Sequence, residues 1–150
     1  MKEHGYEITQ EMYATMFEEH EDIKALFNHD NMVVHPGETK KKQPLLLAQA
    51  VHAYAENIDN LSLLESAVDR ITKKHVSANV KPEHYGIVGR HLLNAVKKVL
   101  GEKAKPEICD AWEKAFNFLA ELFIETENNL RKEEAAKKEV SNLGCRCTLG

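Results

Sequence analysis

The feature that most constrains the fold is where this chain can bend. Its 150 residues hold only four prolines and seven glycines. Between those breakers apolar residues recur at intervals of three and four, and no stretch sustains the period-2 alternation of a half-buried strand. Ile8, Met12 and Met16, with Tyr13 and Phe17 beside them, give residues 6–19 one apolar helical face. A short helical turn is expected over Asp22–Phe27. Residues 28–42 (NHDNMVVHPGETKKK) are the longest polar segment, and Pro36-Gly37 marks a turn within it. Leu45, Leu46, Leu47, Ala50, Val51, Tyr54 and Ile58 predict a well-buried helix over 43–59, and Leu64, Ala67, Val68 and Ile71 predict another from about 62 to 75. Pro82 takes a favoured first helical position, and the stripe Tyr85, Val88, Leu92, Ala95, Val96, Val99 runs to a capping Gly101. Pro106 opens the last long helix, with a face of Ile108, Trp112, Ala115, Phe116, Leu119, Leu122 and Phe123. Beyond about residue 131, RKEEAAKKEV is charged on all sides, which suits a solvated helical extension or a fraying tail.

The reading is an all-α chain of five substantial helices and a turn, without internal repeats. Residues 1–132 form one domain and 133–150 a charged tail expected to be disordered. A domain of this length can bury a real core. The formal net charge of -4 argues against nucleic acid as a partner, since phosphate binding needs a concentrated basic face; the one basic run, Lys40-Lys41-Lys42, reads as a solvated loop. No apolar run approaches the roughly 18 residues of a membrane span, and MKEHGYEIT lacks an apolar signal-peptide core. A cytoplasmic protein with no membrane partner is expected. Three cysteines without framework spacing agree: Cys109 reads as a packing residue, and the terminal GCRCTLG, with Cys145 and Cys147, matches a prenylation box poorly.

Function should show where polar residues fall on apolar faces. Extending the stripe Leu64, Val68, Ile71 by one turn reaches His75, an inward histidine at a helix end whose ring nitrogen suits either a metal or a backbone carbonyl. His84, in a first helical turn, and His91, beside an apolar stripe, read as structural. Glu127 follows Phe123 by four residues on the apolar face of the last helix. A carboxylate there needs a partner if buried, unless the helix end reaches solvent. Tyr13 and Tyr85 are inward phenols that need hydrogen-bond partners, or are ordinary core tyrosines. Together these residues suggest a polar site inside a small α-helical core.

The segment KHVSANVKPEHYGIVGRHLL resembles the proximal region of bacterial haemoglobins and of the globin domain of flavohaemoglobins, and ITQEMYATMF, AYAENIDNL and DAWEKAFNFLAELFIETE resemble further segments of that family in the same order. The likeness spans roughly residues 4–132. It implies a globin fold that binds haem b. His75 matches the histidine that ligates the iron, and Tyr85 and Glu127 match the pair around that imidazole. Tyr13 and Gln43 match the distal pair facing the iron's ligand. Phe27, Leu47, Val80 and Val88 match positions lining the haem. A carboxylate on the outer N–H of an iron-bound imidazole strengthens it as a donor and favours oxygen activation over storage. A distal phenol and amide favour a ligand carrying partial negative charge.

The family's activity is nitric oxide dioxygenation to nitrate, after which the iron must be re-reduced. With no flavin or nicotinamide domain in the sequence, that activity implies a separate electron-donor reductase. The partners are then oxygen, nitric oxide and other small haem ligands. The alternatives are an oxygen carrier, store or gas sensor without turnover, and a haem-free interaction module, which retention of His75 and Phe27 disfavours. Two departures from the family pattern stand out. The first helix is expected to be shortened or missing, which would expose apolar surface that a homodimer could cover. The 28–42 loop is longer than usual and carries His29 and His35, each an alternative distal ligand.

Overall fold

A computed structural model describes residues 3–146, with side chains through residue 144. It contains helices α1 (Gly5–Glu19), α2 (Glu21–Lys24), α3 (Lys42–Glu56), α4 (Glu65–Ser77), α5 (Pro82–Leu100) and α6 (Pro106–Arg146). Single 3₁₀ turns occupy His29–Met32, Leu61–Leu64 and Gly101–Lys103, and the described residues include no strand. The all-α expectation holds, and most helix ends fall within a few residues of those predicted from periodicity and breakers. The terminal Cys147 lies outside the described residues, as does the side chain of Cys145. No described helix is long and apolar enough to cross a membrane.

Helix α1 lies at the centre. It packs on α3 on one side and on α5 on the other, while α6 packs on α5 and α4. The core joins Ile8, Met12 and Met16 of α1 to Ile23, Leu92, Ala95 and Val96. Each large side chain buried there contributes on the order of 1.5–3 kcal/mol. The α5–α6 crossing is close because residue 89 is glycine: a Cβ there would sit 2.6 Å from the ring of Phe116. Gly101, at φ 54°, ends α5 in a conformation that other residues adopt reluctantly. Cys109 is buried, its thiol directed at the Ala104 carbonyl at 3.7 Å.

One expectation needs correction. Helix α3 is not well buried. Pro44, Ala48 and Tyr54 are inside, whereas Leu46 and Ile58 are 47% and 44% exposed and Leu45, Leu47 and Val51 are half-buried. The reason is that α3 packs closely only on α1; it has at most marginal contact with α4, the next helix in the chain. Helix α6 continues to Arg146, so residues 133–146 take the solvated helical extension, one of the two readings their charge pattern left open. Ala, Glu and Lys propagate a helix readily, and Glu133–Lys137 and Glu134–Lys138 have the i, i+4 order that supports an exposed one.

Candidate functional site

The gap between α3 and α4 separates two polar clusters. The first is built by α4, α5 and α6. Thr72, wholly buried, donates its hydroxyl proton to carbonyls of its own helix. One turn further on is His75. After it the chain leaves α4 through Asn79, whose φ of 61° turns the backbone left-handed. The Val80 amide then donates to the His75 carbonyl (2.9 Å) and the Asn79 amide to the Val76 carbonyl (3.1 Å). This pair of bonds closes a helix end and brings Val80 back beside the histidine. Arg131, one turn beyond Glu127 on α6, donates to the Val80 carbonyl and fixes that corner from the other side.

Around the imidazole, Glu127 Oε1 accepts the Tyr85 hydroxyl at 2.6 Å and lies 2.8 Å from His75 Nδ1, while the Tyr85 oxygen lies 2.9 Å from the same nitrogen. The phenol has one proton and gives it to the carboxylate. Toward His75 both oxygens can then only accept, so Nδ1 must carry the ring proton. In the neutral ring Nε2 is left as a bare lone pair with no partner among the described residues, and the side chain is 34% exposed. Glu127 is 0% exposed, so its helix end does not reach solvent. Burial, and then the hydrogen bond to Glu127, push the Tyr85 phenol well above its ordinary pKa, so it stays a donor. Phe123 packs on the imidazole with ring centroids 5.9 Å apart.

The second cluster is built by α1 and the start of α3. Thr9, wholly buried on α1, donates across to the Pro44 carbonyl at 2.8 Å, and the Tyr6 hydroxyl accepts the Lys41 amide at 2.9 Å. These two contacts bracket Gln43, whose Nε2 donates to the Tyr13 oxygen at 3.1 Å. The Tyr13 proton has no acceptor among the described residues. Burial, partly offset by Gln43, raises the Tyr13 pKa to about 12, so the phenol remains protonated at neutral pH. Its ring packs against Phe17 and Phe27 at 5.5 and 5.4 Å. A cavity of about 210 Å³ adjoins this cluster, lined by Tyr13, Phe17, Phe27, Met32 and His29. Of the two loop histidines, then, His29 faces the cavity. His35 is held elsewhere, with Nε2 2.9 Å from the Asp30 carbonyl.

The sequence-derived site residues thus separate into His75, Tyr85 and Glu127 on one side and Tyr13 and Gln43 on the other. Phe27, Leu47 and Val88 pack against the core from half-buried positions, and Val80 is half-buried at the α4–α5 corner. The residues that fix these groups were not singled out in the sequence: Thr9, Thr72, Asn79 and Arg131. The helical threonines beside apolar stripes and the i, i+4 relation of Arg131 to Glu127 were signals available there. His84 accepts the Lys81 amide at 3.0 Å at the start of α5, and His91 is 2% exposed.

The globin family model matches residues 10–123, and the chain belongs to that family. It is 42% identical over 134 residues to a flavohemoprotein of Oceanobacillus iheyensis and 45% identical over 130 residues to one of Deinococcus radiodurans. These alignments cover 89% and 87% of this chain but only 32% and 31% of those proteins, so the chain spans about a third of the length of these relatives. Among solved structures, a bacterial globin from Campylobacter jejuni superposes with a TM-score of 0.78 at 34% identity, covering 87% of this chain and 88% of that one. An engineered carbene transferase from Rhodothermus marinus, provisionally described as a nitric oxide dioxygenase, gives 0.78 at 33% identity over 89% and 87%.

Proposed function

We propose that this globin holds haem b between α3 and α4 with His75 Nε2 as the iron ligand, and that it binds oxygen and nitric oxide and converts them to nitrate with electrons from a separate reductase. The observation that carries the reading is the bare Nε2 lone pair. Tyr85 of α5 and Glu127 of α6 fix the tautomer that leaves this nitrogen unprotonated and without a partner among the described residues, on a side chain 34% exposed. Leu47, Val80, Val88 and Phe27 are half-buried apolar side chains and α3 makes at most marginal contact with α4, so a planar apolar group held between these helices could cover them.

Haem, when bound, supplies the iron-centred redox chemistry, and the chain supplies the surroundings. Glu127 draws the Nδ1 proton toward itself and so raises the electron donation available at Nε2. Tyr85 satisfies the same carboxylate oxygen and keeps it in position. Tyr13 would offer its O–H to partial negative charge developing on a bound ligand, with Gln43 donating to the phenol oxygen at 3.1 Å. A strong proximal donor combined with a distal proton donor suits oxygen activation better than storage.

The test is spectroscopic and then kinetic. The purified chain, supplied with haem, is expected to show an intense Soret band that His75→Ala loses or shifts. With an electron donor present, repeated additions of nitric oxide should be consumed with stoichiometric nitrate. A single round of reaction without cycling would identify an oxygen carrier or store, and absence of a Soret band would overturn the reading altogether.

A further inference from the structure

Away from α3 and α4, three potential ligand side chains meet where α1 ends against α5. Glu19 is the last residue of α1, and His20 is the break between α1 and α2, its amide donating to the Met16 carbonyl at 2.8 Å. His91 comes from α5 and is 2% exposed. One ligand atom from each lies within 4.8 Å of the other two, and Glu19 Oε2 is 4.0 Å from His20 Nε2 and 3.4 Å from His91 Nε2.

The hydrogen bonds around these groups bear on which atoms can act as ligands. Thr15 has one hydroxyl proton, shared between the Glu11 and Met12 carbonyls at 3.1 and 3.3 Å. With that proton on a carbonyl of its own helix, the Thr15 oxygen, 3.2 Å from His91 Nδ1, accepts and Nδ1 carries the ring proton. The neutral ring then presents Nε2 as a lone pair. This buried atom has no hydrogen-bond partner, and it faces the Glu19 carboxylate oxygen at 3.4 Å. A buried nitrogen lone pair 3.4 Å from a solvent-exposed carboxylate oxygen is an arrangement that a shared cation would stabilise. His20 Nε2 is 3.2 Å from Arg90 Nη2, which can only donate, so that nitrogen also presents a lone pair. Four ligand atoms around a tetrahedral zinc sit about 3.4 Å from one another. The His91–Glu19 separation already has that value, and His20 Nε2, at 4.0 Å from the Glu19 residue's Oε2, needs only a small side-chain adjustment.

We propose that Glu19, His20 and His91 form a binding site for a borderline divalent transition ion of the zinc type, with two imidazoles, one carboxylate and an open position for water. The site is independent of haem. It would tie the α1–α2 corner to α5, and the present neighbour, the Arg90 guanidinium, is 58% exposed and free to swing into solvent as the ion enters. Arg90 also lies 3.8 Å from Glu19 Oε2, so its positive charge opposes the ion.

The probe is Zn²⁺ alone, titrated calorimetrically into the full-length protein as purified, with iron counted separately. One equivalent should bind more tightly than all others. His20→Ala and Glu19→Gln, at a half-buried and an exposed position respectively, should weaken that equivalent by about tenfold or more, and His52→Ala, on α3 with its Nε2 3.3 Å from Glu56, should leave it unchanged. Arg90→Ala should tighten it by about threefold, an effect that a purely structural arginine would not give. Zinc-edge X-ray absorption should count two imidazoles in the wild type and one in His20→Ala. A wild-type isotherm identical to those of His20→Ala and Glu19→Gln, or an absorption edge without imidazole, would overturn the site.

Discussion

His75 Nδ1 and Glu127 Oε1 are 2.8 Å apart although 52 residues separate them in the chain. The carboxylate is wholly buried, and its other oxygen, Oε2, has no hydrogen-bond partner. An acceptor with one oxygen committed to an imidazole and a phenol, and the other left unmatched, is costly to maintain on stability grounds alone. Its position points to a role for the imidazole.

Glu127→Gln should separate the two roles. The amide keeps the shape of the carboxylate but carries no charge to draw on the Nδ1 proton. In the ferrous haem-loaded protein the iron–histidine stretching band should move to lower frequency, as resonance Raman measures. An unmoved band would show that Glu127 does not tune the imidazole.

On the opposite face, Tyr13→Phe removes the free O–H and leaves the Gln43 amide without its acceptor. One lost hydrogen bond of about 1–1.5 kcal/mol corresponds to roughly tenfold faster oxygen dissociation. Stopped-flow displacement of oxygen measures this directly, and an unchanged off-rate would show that the phenol does not reach the ligand.

Alkaline stability should report the same buried phenol. The Tyr13 pKa is raised by burial from 10.0 to about 12. Below pH 10 both folded and unfolded chains hold this proton. Between about pH 10 and 12 only the folded chain retains it, so the unfolded state binds fewer protons and stability falls as pH rises through that window. The Tyr54 and Tyr85 phenols are shifted upward as well, so they act in the same direction. Denaturant midpoints measured across this range should fall less steeply for Tyr13→Phe than for the wild type.

Asn79 offers a backbone test. At φ 61° it adopts a conformation that asparagine tolerates and β-branched residues resist. Asn79→Gly should be neutral or stabilising. Asn79→Val should cost about 1–2 kcal/mol and displace Val80, the residue that the turn brings beside His75. Thermal midpoints measure the first effect, and the Soret position of the haem-loaded variant measures the second.

Much of the architecture was legible in local pattern. The stripes on α1, α4, α5 and α6, and the breakers Pro82, Gly101 and Pro106, placed helices close to where they lie, because helical periodicity and breaker chemistry act over a few residues. The charged run after residue 131 was read less well. Its composition fits a helix and a disordered segment alike, and the propagation of α6 from a packed first half decides between them. Helix α3 was read as buried because its apolar content is high, but how much of a face is covered depends on which helices approach it.

The sequence by itself determined the all-α class, the main helices and the presence of inward-facing polar residues at 13, 75, 85 and 127. Only the tertiary structure decided what those residues do to one another. Which nitrogen of His75 carries the proton follows from two oxygens brought in by α5 and α6. The Gln43–Tyr13 contact follows from Thr9 and Tyr6 holding the start of α3 against α1. The meeting of Glu19 and His20 with His91 follows from the α1–α5 crossing. Hydrogen-bond direction depends on the counted donors and acceptors around an atom, and in a packed helical domain those partners come from helices far apart in the chain.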